Sequence, residues 1–166
     1  GNTANPETDY LQLNTTAATV DAADYWADTA ATSTHFTVGS DGDVNQNAAT
    51  YVAYLFAHND GNGGFGPSGD QDVIKCGSFT SDSSGIATVN LGFEPQWLMF
   101  KGTHAGSSWH MVDVMRGMFN GSNDAWLGAN LSNAEGSYAI ATPTPTGFVT
   151  DGTTIVDPSS TFIYMA

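Results

Sequence analysis

The chain has 166 residues, 40% of them hydrophobic and 11% aromatic, which is enough for one domain with a sizeable core and too much apolar material for disorder. Three basic residues, Lys75, Lys101 and Arg116, stand against 17 acidic ones for a net charge of −14. Nucleic acid is thereby excluded as a main partner, since that affinity comes from cations displacing counterions from phosphates. The longest apolar runs, 97–100 and 161–166, are far too short for a membrane-spanning helix, and no membrane insertion is expected.

Only 12% of the residues are charged, whereas Gly, Ser, Thr and Asn together supply 65 of the 166, so the surface consists mostly of uncharged hydrogen-bonding groups. Such surfaces suit fibre and adhesion proteins, in which turns take Gly and Asn and exposed strands take Thr. Cys76 is the only cysteine and excludes an internal disulfide; it reads as a small buried hydrophobe. The sequence starts at Gly1 with neither a methionine nor a signal sequence and is read as a piece of a longer polypeptide.

In chain order, strand signals fall at 10–13, 36–38, 51–57, 73–79, 87–91, 97–101, 109–114, 138–141, 147–150 and 161–165. Each is short, rich in aromatic or β-branched residues and bounded by Gly, Asn, Asp or Pro. The Ala- and Asp-rich stretch 17–31 reads as either a short helix or a surface loop. The tract 58–72 is a Gly/Asn/Asp-rich loop, and Pro143 and Pro145, alternating with threonines, make 142–146 a stiff extended connection. Many short strands at regular spacing predict an all-β domain, an antiparallel β-sandwich of jelly-roll-like type with little or no helix.

The front and the tail of the chain look alike. Phe36 and the strand beginning at Thr50 return, after an acidic turn, as Phe148 and the strand beginning at Thr161, at offsets of about 112 and 111 residues. Residues 1–57 therefore read as the end of one sequence repeat and 73–166 as most of a second, within a single domain spanning 1–166. The two look-alike segments, 34–57 and 146–166, are predicted to share one local fold of strand, turn and strand.

The ordered series Tyr51-Val52-Ala53-Tyr54-Leu55-Phe56-Ala57, Phe65-Gly66-Pro67-Ser68-Gly69, Val73 to Phe79, Leu91-Gly92-Phe93-Glu94-Pro95-Gln96-Trp97, Val112 to Gly117 and the closing 161–166 resembles one family. This is a set of repeat-bearing proteins of marine bacteriophages, cyanophage-like ones above all, described as tail-fibre or virion structural proteins. The resemblance covers roughly residues 34–166. It implies a place in the virion, a structural or host-attachment role, and no catalytic residues.

Residue chemistry points the same way. Asp41, Asp43, Asn45 and Asn47 place side-chain oxygens at every second position, as a calcium loop does, but Gln46 and Val52 replace the glycine and the bidentate glutamate of an EF-hand. The expectation is a plain exposed turn, with calcium as its one candidate ion and no other cofactor. Glu94, Asp113 and Glu135 are read as structural carboxylates, with Asp113 pairing with Arg116 or backbone. The four histidines have no metal-ligand spacing, and Ser107 and Ser108 near His110 lack an orienting acid. Trp97 is assigned to the core, and Trp126 is the candidate ring for stacking on a glycan. The resulting expectation is a non-enzymatic virion module acting by rigid display and self-assembly as a fibre, tail appendage or capsid decoration. It would be a homo-oligomer, a trimer in look-alike fibres, contacting other virion proteins and a host surface glycan. A carbohydrate-binding receptor domain is the alternative, and a polysaccharide depolymerase ranks third.

Overall fold

The computed structural model describes residues 7–32, 34–56, 68, 74–119, 123–152 and 155–166. The front of the chain carries β1 (Asp9–Tyr10), β2 (Val20–Asp21), α1 (Ala23–Trp26) and α2 (Gly42–Asn45). The two strands pair only with each other, and each helix is a single turn. Then come β3 (Cys76–Thr80), β4 (Thr88–Asn90), β5 (Trp97–Gly102), β6 (His110–Asp113), a 3₁₀ turn over Val114–Arg116, β7 (Asp124–Gly128), β8 (Gly136–Tyr138), β9 (Ala141–Thr144), β10 (Gly147–Thr150) and β11 (Thr161–Met165). The all-β class predicted from the sequence is the class observed.

β3 to β11 form two antiparallel sheets, one of six strands in the order β3-β11-β5-β6-β7-β8 and one of three in the order β4-β10-β9. The two sheets share one core. Along β11, Phe162 and Tyr164 are buried while Ile163 and Met165 on the opposite face are half-buried, as the two-residue period of a strand dictates. Val89 on β4 is buried between exposed Thr88 and Asn90. Phe79 of β3 stacks on Phe162 of β11 with ring centroids 5.1 Å apart and meets Phe148 of β10 edge-on at 5.8 Å; Phe148 also meets Tyr164 at 5.7 Å. These rings, closed by Leu91, Leu98, Val112 and Ile140, bridge the sheets, and full burial of each such side chain contributes roughly 1.5–3 kcal/mol.

β3 pairs with β11 and β4 with β10, so early strands of this part of the chain lie beside late ones in each sheet. β5 to β8 run instead as a meander of neighbours. Buried polar groups pin the crossings between sheets. Asp124 at the start of β7 accepts from the amides of Ile140 and Ala141 at 2.7 and 2.9 Å, where the chain leaves β8 for β9. Thr150 at the end of β10 accepts from the Ala87 amide at 2.7 Å and donates to the Gly85 carbonyl at 2.9 Å. Ser81 donates to the Asp157 carbonyl at 2.6 Å and accepts from the Ser160 amide.

The front of the chain lies against the outer face of the six-stranded sheet. Lys101, one residue past the inward-facing Phe100, points to that face and is nevertheless fully buried; its ammonium donates to the carbonyls of Ala17 and Gly102 at 2.9 and 3.1 Å. The Trp109 indole donates to the Gln12 carbonyl, and the Thr19 amide to the Thr103 carbonyl. Tyr10 and Tyr25 stack 3.7 Å apart, and the Trp26 indole closes this small cluster by donating to the Asp9 carbonyl.

Several sequence expectations are corrected by these positions. Residues 36–38 and 51–56 are not strands, so the repeat segments do not share one fold within the chain; their counterparts are β10 and β11, each inside a sheet. β2, β7 and β9 were not foreseen: β2 lies within the stretch 17–31, β7 carries Trp126 where no strand was expected, and β9 covers most of the expected stiff connection. β9 is an edge strand, which is why Pro143 is tolerated without disrupting a ladder. Trp97 is half-buried on the outer side of β5 rather than in the core, and Cys76 is half-buried at the start of β3, where burial raises its thiol pKa. Helix within 17–31 is limited to α1. Apart from Ser68, the predicted loop at 58–72 falls outside the described residues.

Candidate binding surfaces

The acidic turn is built as a helix start. Asp41 caps α2, its carboxylate accepting from the Asp43 amide at 2.7 Å. Asp43 accepts from the Tyr25 hydroxyl at 2.7 Å, a bond to the carboxylate that is the main reason the Tyr25 pKa is raised. Asn45 donates to the Gly39 carbonyl at 2.8 Å, and Asn47 stands in the turn that follows. The two carboxylates and the Asn45 amide are thus engaged in local structure. Among the described residues, no three His, Cys, Asp or Glu side chains are grouped to share a metal ion.

Trp126 sits on β7 opposite Val112 of β6. Its half-buried ring lies 4.8 Å from the His110 imidazole and packs against the core. His110 in turn stacks on Phe100 at 5.6 Å, and burial drives its pKa down to about 4, with the Ser108 backbone pulling weakly upward. Asp124, wholly buried, has its pKa raised by desolvation against the opposing pull of the Ala141, Ile140 and Phe119 amides. Both residues are chemically unusual, but each is enclosed by protein and neither lines the larger clefts described below.

Of the three carboxylates read as structural, Asp113 and Glu135 meet at the Arg116 guanidinium and Glu94 stands apart. Asp113 caps the 3₁₀ turn by accepting from the Arg116 amide at 2.9 Å and pairs with the Arg116 guanidinium at 2.6 Å. Glu135 reaches the same guanidinium only at 3.5 Å, near the surface, where such a pair contributes little. Glu94 instead lines a cleft of about 710 Å³ with Phe56, Ile74, Phe93, Trp97 and Met165, where the front segment meets the ends of β5 and β11. A second groove, of about 600 Å³, runs between the edge strands β3 and β4 and is lined with Ser78, Thr80, Asp82, Thr88 and Asn90 over Tyr164. Neither feature was foreseen from the sequence, because one forms where the front segment meets the sandwich and the other between strands that lie in different sheets.

The largest exposed apolar stretch is at 51–56. Val52, Tyr54 and Leu55 are 78%, 82% and 73% exposed, and Tyr51 and Phe56 are also open. Tyr51 is tethered through its hydroxyl, which accepts from the Gln46 amide and donates to the Gly42 carbonyl. Phe36 and Val38 extend the apolar surface beside it, around a groove of about 520 Å³.

Fold and surface together define an antiparallel two-sheet domain with open sheet edges and an exposed apolar segment beside it. The chain belongs to the family described as a domain of unknown function (DUF7483), which matches residues 2–166. No curated protein and no solved structure matches it.

Proposed function

We propose that this chain is a structural display module that assembles with copies of itself through its sheet edges, and that it serves in a virion as part of a fibre, tail appendage or capsid decoration, with a role in host attachment. The observation that carries the assembly reading is the combination of open edges with few guards. β3, β8, β4 and β9 each have one side without a ladder partner among the described residues. Lysine is the usual guard against edge pairing, yet of the two lysines Lys101 is buried and only Lys75 stands beside an edge strand. The virion setting rests on the sequence resemblance. In that setting, many copies each making weak contacts supply avidity without a strong single site and without catalysis.

Light scattering coupled to size exclusion at micromolar concentration tests the assembly reading. A homo-oligomer is expected, with a trimer as the closed form common among fibres; a strictly monomeric species across the concentration range would sink it. A second reading, carbohydrate binding, is favoured by the hydroxyl- and amide-lined groove between β3 and β4, whose lining suits a sugar better than the packed Trp126 ring does. A glycan array in which Ser78→Val with Asn90→Leu abolishes a binding signal supports that reading, and a blank array removes it.

A further inference from the structure

We propose that residues 36–38 and 51–56 form an interaction surface for a second sandwich of this same kind that lacks its own last two strands, and that they enter that sandwich as its β10 and β11. The partner is thus defined by its chemistry: two incomplete antiparallel sheets, equivalent to β3 through β9, each missing an internal strand.

The first support is the sequence correspondence, which pairs 36–38 with 148–150 of β10 and 50–54 with β11, so that 51–54 overlap its last four residues. The second is the place of those two strands in the sandwich. β10 lies between β4 and β9, and β11 lies between β3 and β5, so each has a hydrogen-bonded neighbour on both sides. A sandwich without them would leave two strands in each sheet with an open side and lose Phe148, Phe162 and Tyr164 from its core. The front segments offer Phe36 and Tyr51 at the positions of Phe148 and Phe162, with the smaller Ala53 at that of Tyr164.

The third support is the state of those segments. The backbone of 52–56 makes no hydrogen bond among the described residues, although its residues are among the strongest strand formers in the chain. Apolar side chains occupy both of its faces, as they do on β11, where Phe162 and Tyr164 face the core and Ile163 and Met165 are half-covered on the other side. A strand apolar on both faces is suited to the interior of a layered structure and not to a solvated surface. Strand addition would satisfy the backbone groups and bury the side chains in one step. An intact second copy does not offer this gap, because its own β10 and β11 fill it. The proposal concerns how sandwiches of this kind join and holds whether or not the chain belongs to a virion.

The test uses the full chain and two extended forms of it. In the first, residues 74–145 of this sequence are repeated ahead of residue 1; in the second, residues 74–166 are. Amide hydrogen exchange is read at 51–56 and, as an internal standard, at 161–165. In the unextended chain the 51–56 amides should exchange fast. In the first extended form they should move into the slow class of 161–165, and Val52→Asp with Tyr54→Asp should return them to the fast class while 161–165 stay protected. In the second extended form the added unit has its own last strands, so 51–56 should stay fast, and this form also shows that the repeated residues fold when complete. Fast exchange at 51–56 in the first form, with the second form folded, overturns the proposal. Protection that is already present in the unextended chain and grows with concentration also overturns it, by making an intact second copy the partner.

Discussion

His110 is an imidazole held where an uncharged ring belongs, between Phe100 and Trp126, and its pKa of about 4 in the fold lies below the usual 6.5. In the unfolded chain it takes up a proton as pH falls through the normal range, whereas in the fold it resists until about 4. The stability this contributes is therefore fully present above about pH 6.5 and is lost as pH falls through the folded value, at close to 1.4 kcal/mol per unit where only the unfolded state is protonated. His110→Phe keeps a ring between the same neighbours and removes the titration. Urea unfolding at pH 7 and at pH 4.5 should show the parent losing about 2–3 kcal/mol more than the variant between the two. Equal losses would mean that His110 is not held neutral. Asp124 acts in the opposite sense: its raised pKa contributes stability that is present below the ordinary carboxylate value and is lost as pH rises through the folded one, which is why the comparison is made between variant and parent rather than on the parent alone.

At the scale of elements, β10 and β4 meet in very close backbone contact. A Cβ added at Gly147 would overlap the Val89 carbonyl, which is backbone in the neighbouring strand and cannot move without opening the ladder. Gly147→Ala is expected to cost about 1–3 kcal/mol or more, as overpacking does. Gly42→Ala, in α2 with nothing within 4 Å, should cost nothing, and chemical denaturation of the two variants gives the comparison. Strands that meet the core were legible in the sequence: 97–102 and 161–165 as short aromatic-rich apolar runs, and 76–80 as a short segment with its phenylalanine turned to the core. β7 was not legible because Asp124 and Gly128 bracket only three residues and resemble a loop; the carboxylate's task, stapling two amides at a crossover, cannot be seen without the crossover. The opposite error at 36–38 and 51–56 has the complementary cause. Propensity and pattern identify a segment able to be a strand, but a strand exists only beside another, and the chain supplies no partner there among the described residues. The acidic segment reads as a plain turn in the sequence but is the single-turn helix α2 capped by Asp41, and the engagement of Asp43 with Tyr25, 18 residues away, was not legible.

Over the whole molecule, order is unevenly distributed. Every member of the main apolar core lies between Phe79 and Ala166, whereas the front carries one buried aromatic, Tyr25, two-residue strands and single-turn helices. Segments with few buried contacts open locally at a small fraction of the global free energy, and proteases cut the open form. Chymotrypsin, which needs an accessible aromatic or leucine, should cut first within 51–56, where Tyr54 and Leu55 are the most open such residues. Residues 9–22 are held differently, because the Trp109 indole, the Lys101 ammonium and the Thr103 carbonyl all bond to their backbone from the sandwich. The nicked front piece should therefore remain attached, co-eluting with the rest of the chain on size exclusion, and the main melting transition should be unchanged because the core that sets it is intact. Lys101→Met removes one of these ties and should let the nicked piece elute separately at a lower denaturant concentration than in the parent. If the first cuts instead fall between β3 and β11, or if nicking at 51–56 abolishes the main transition, stability is shared between the two parts and the front segment belongs to the cooperative core.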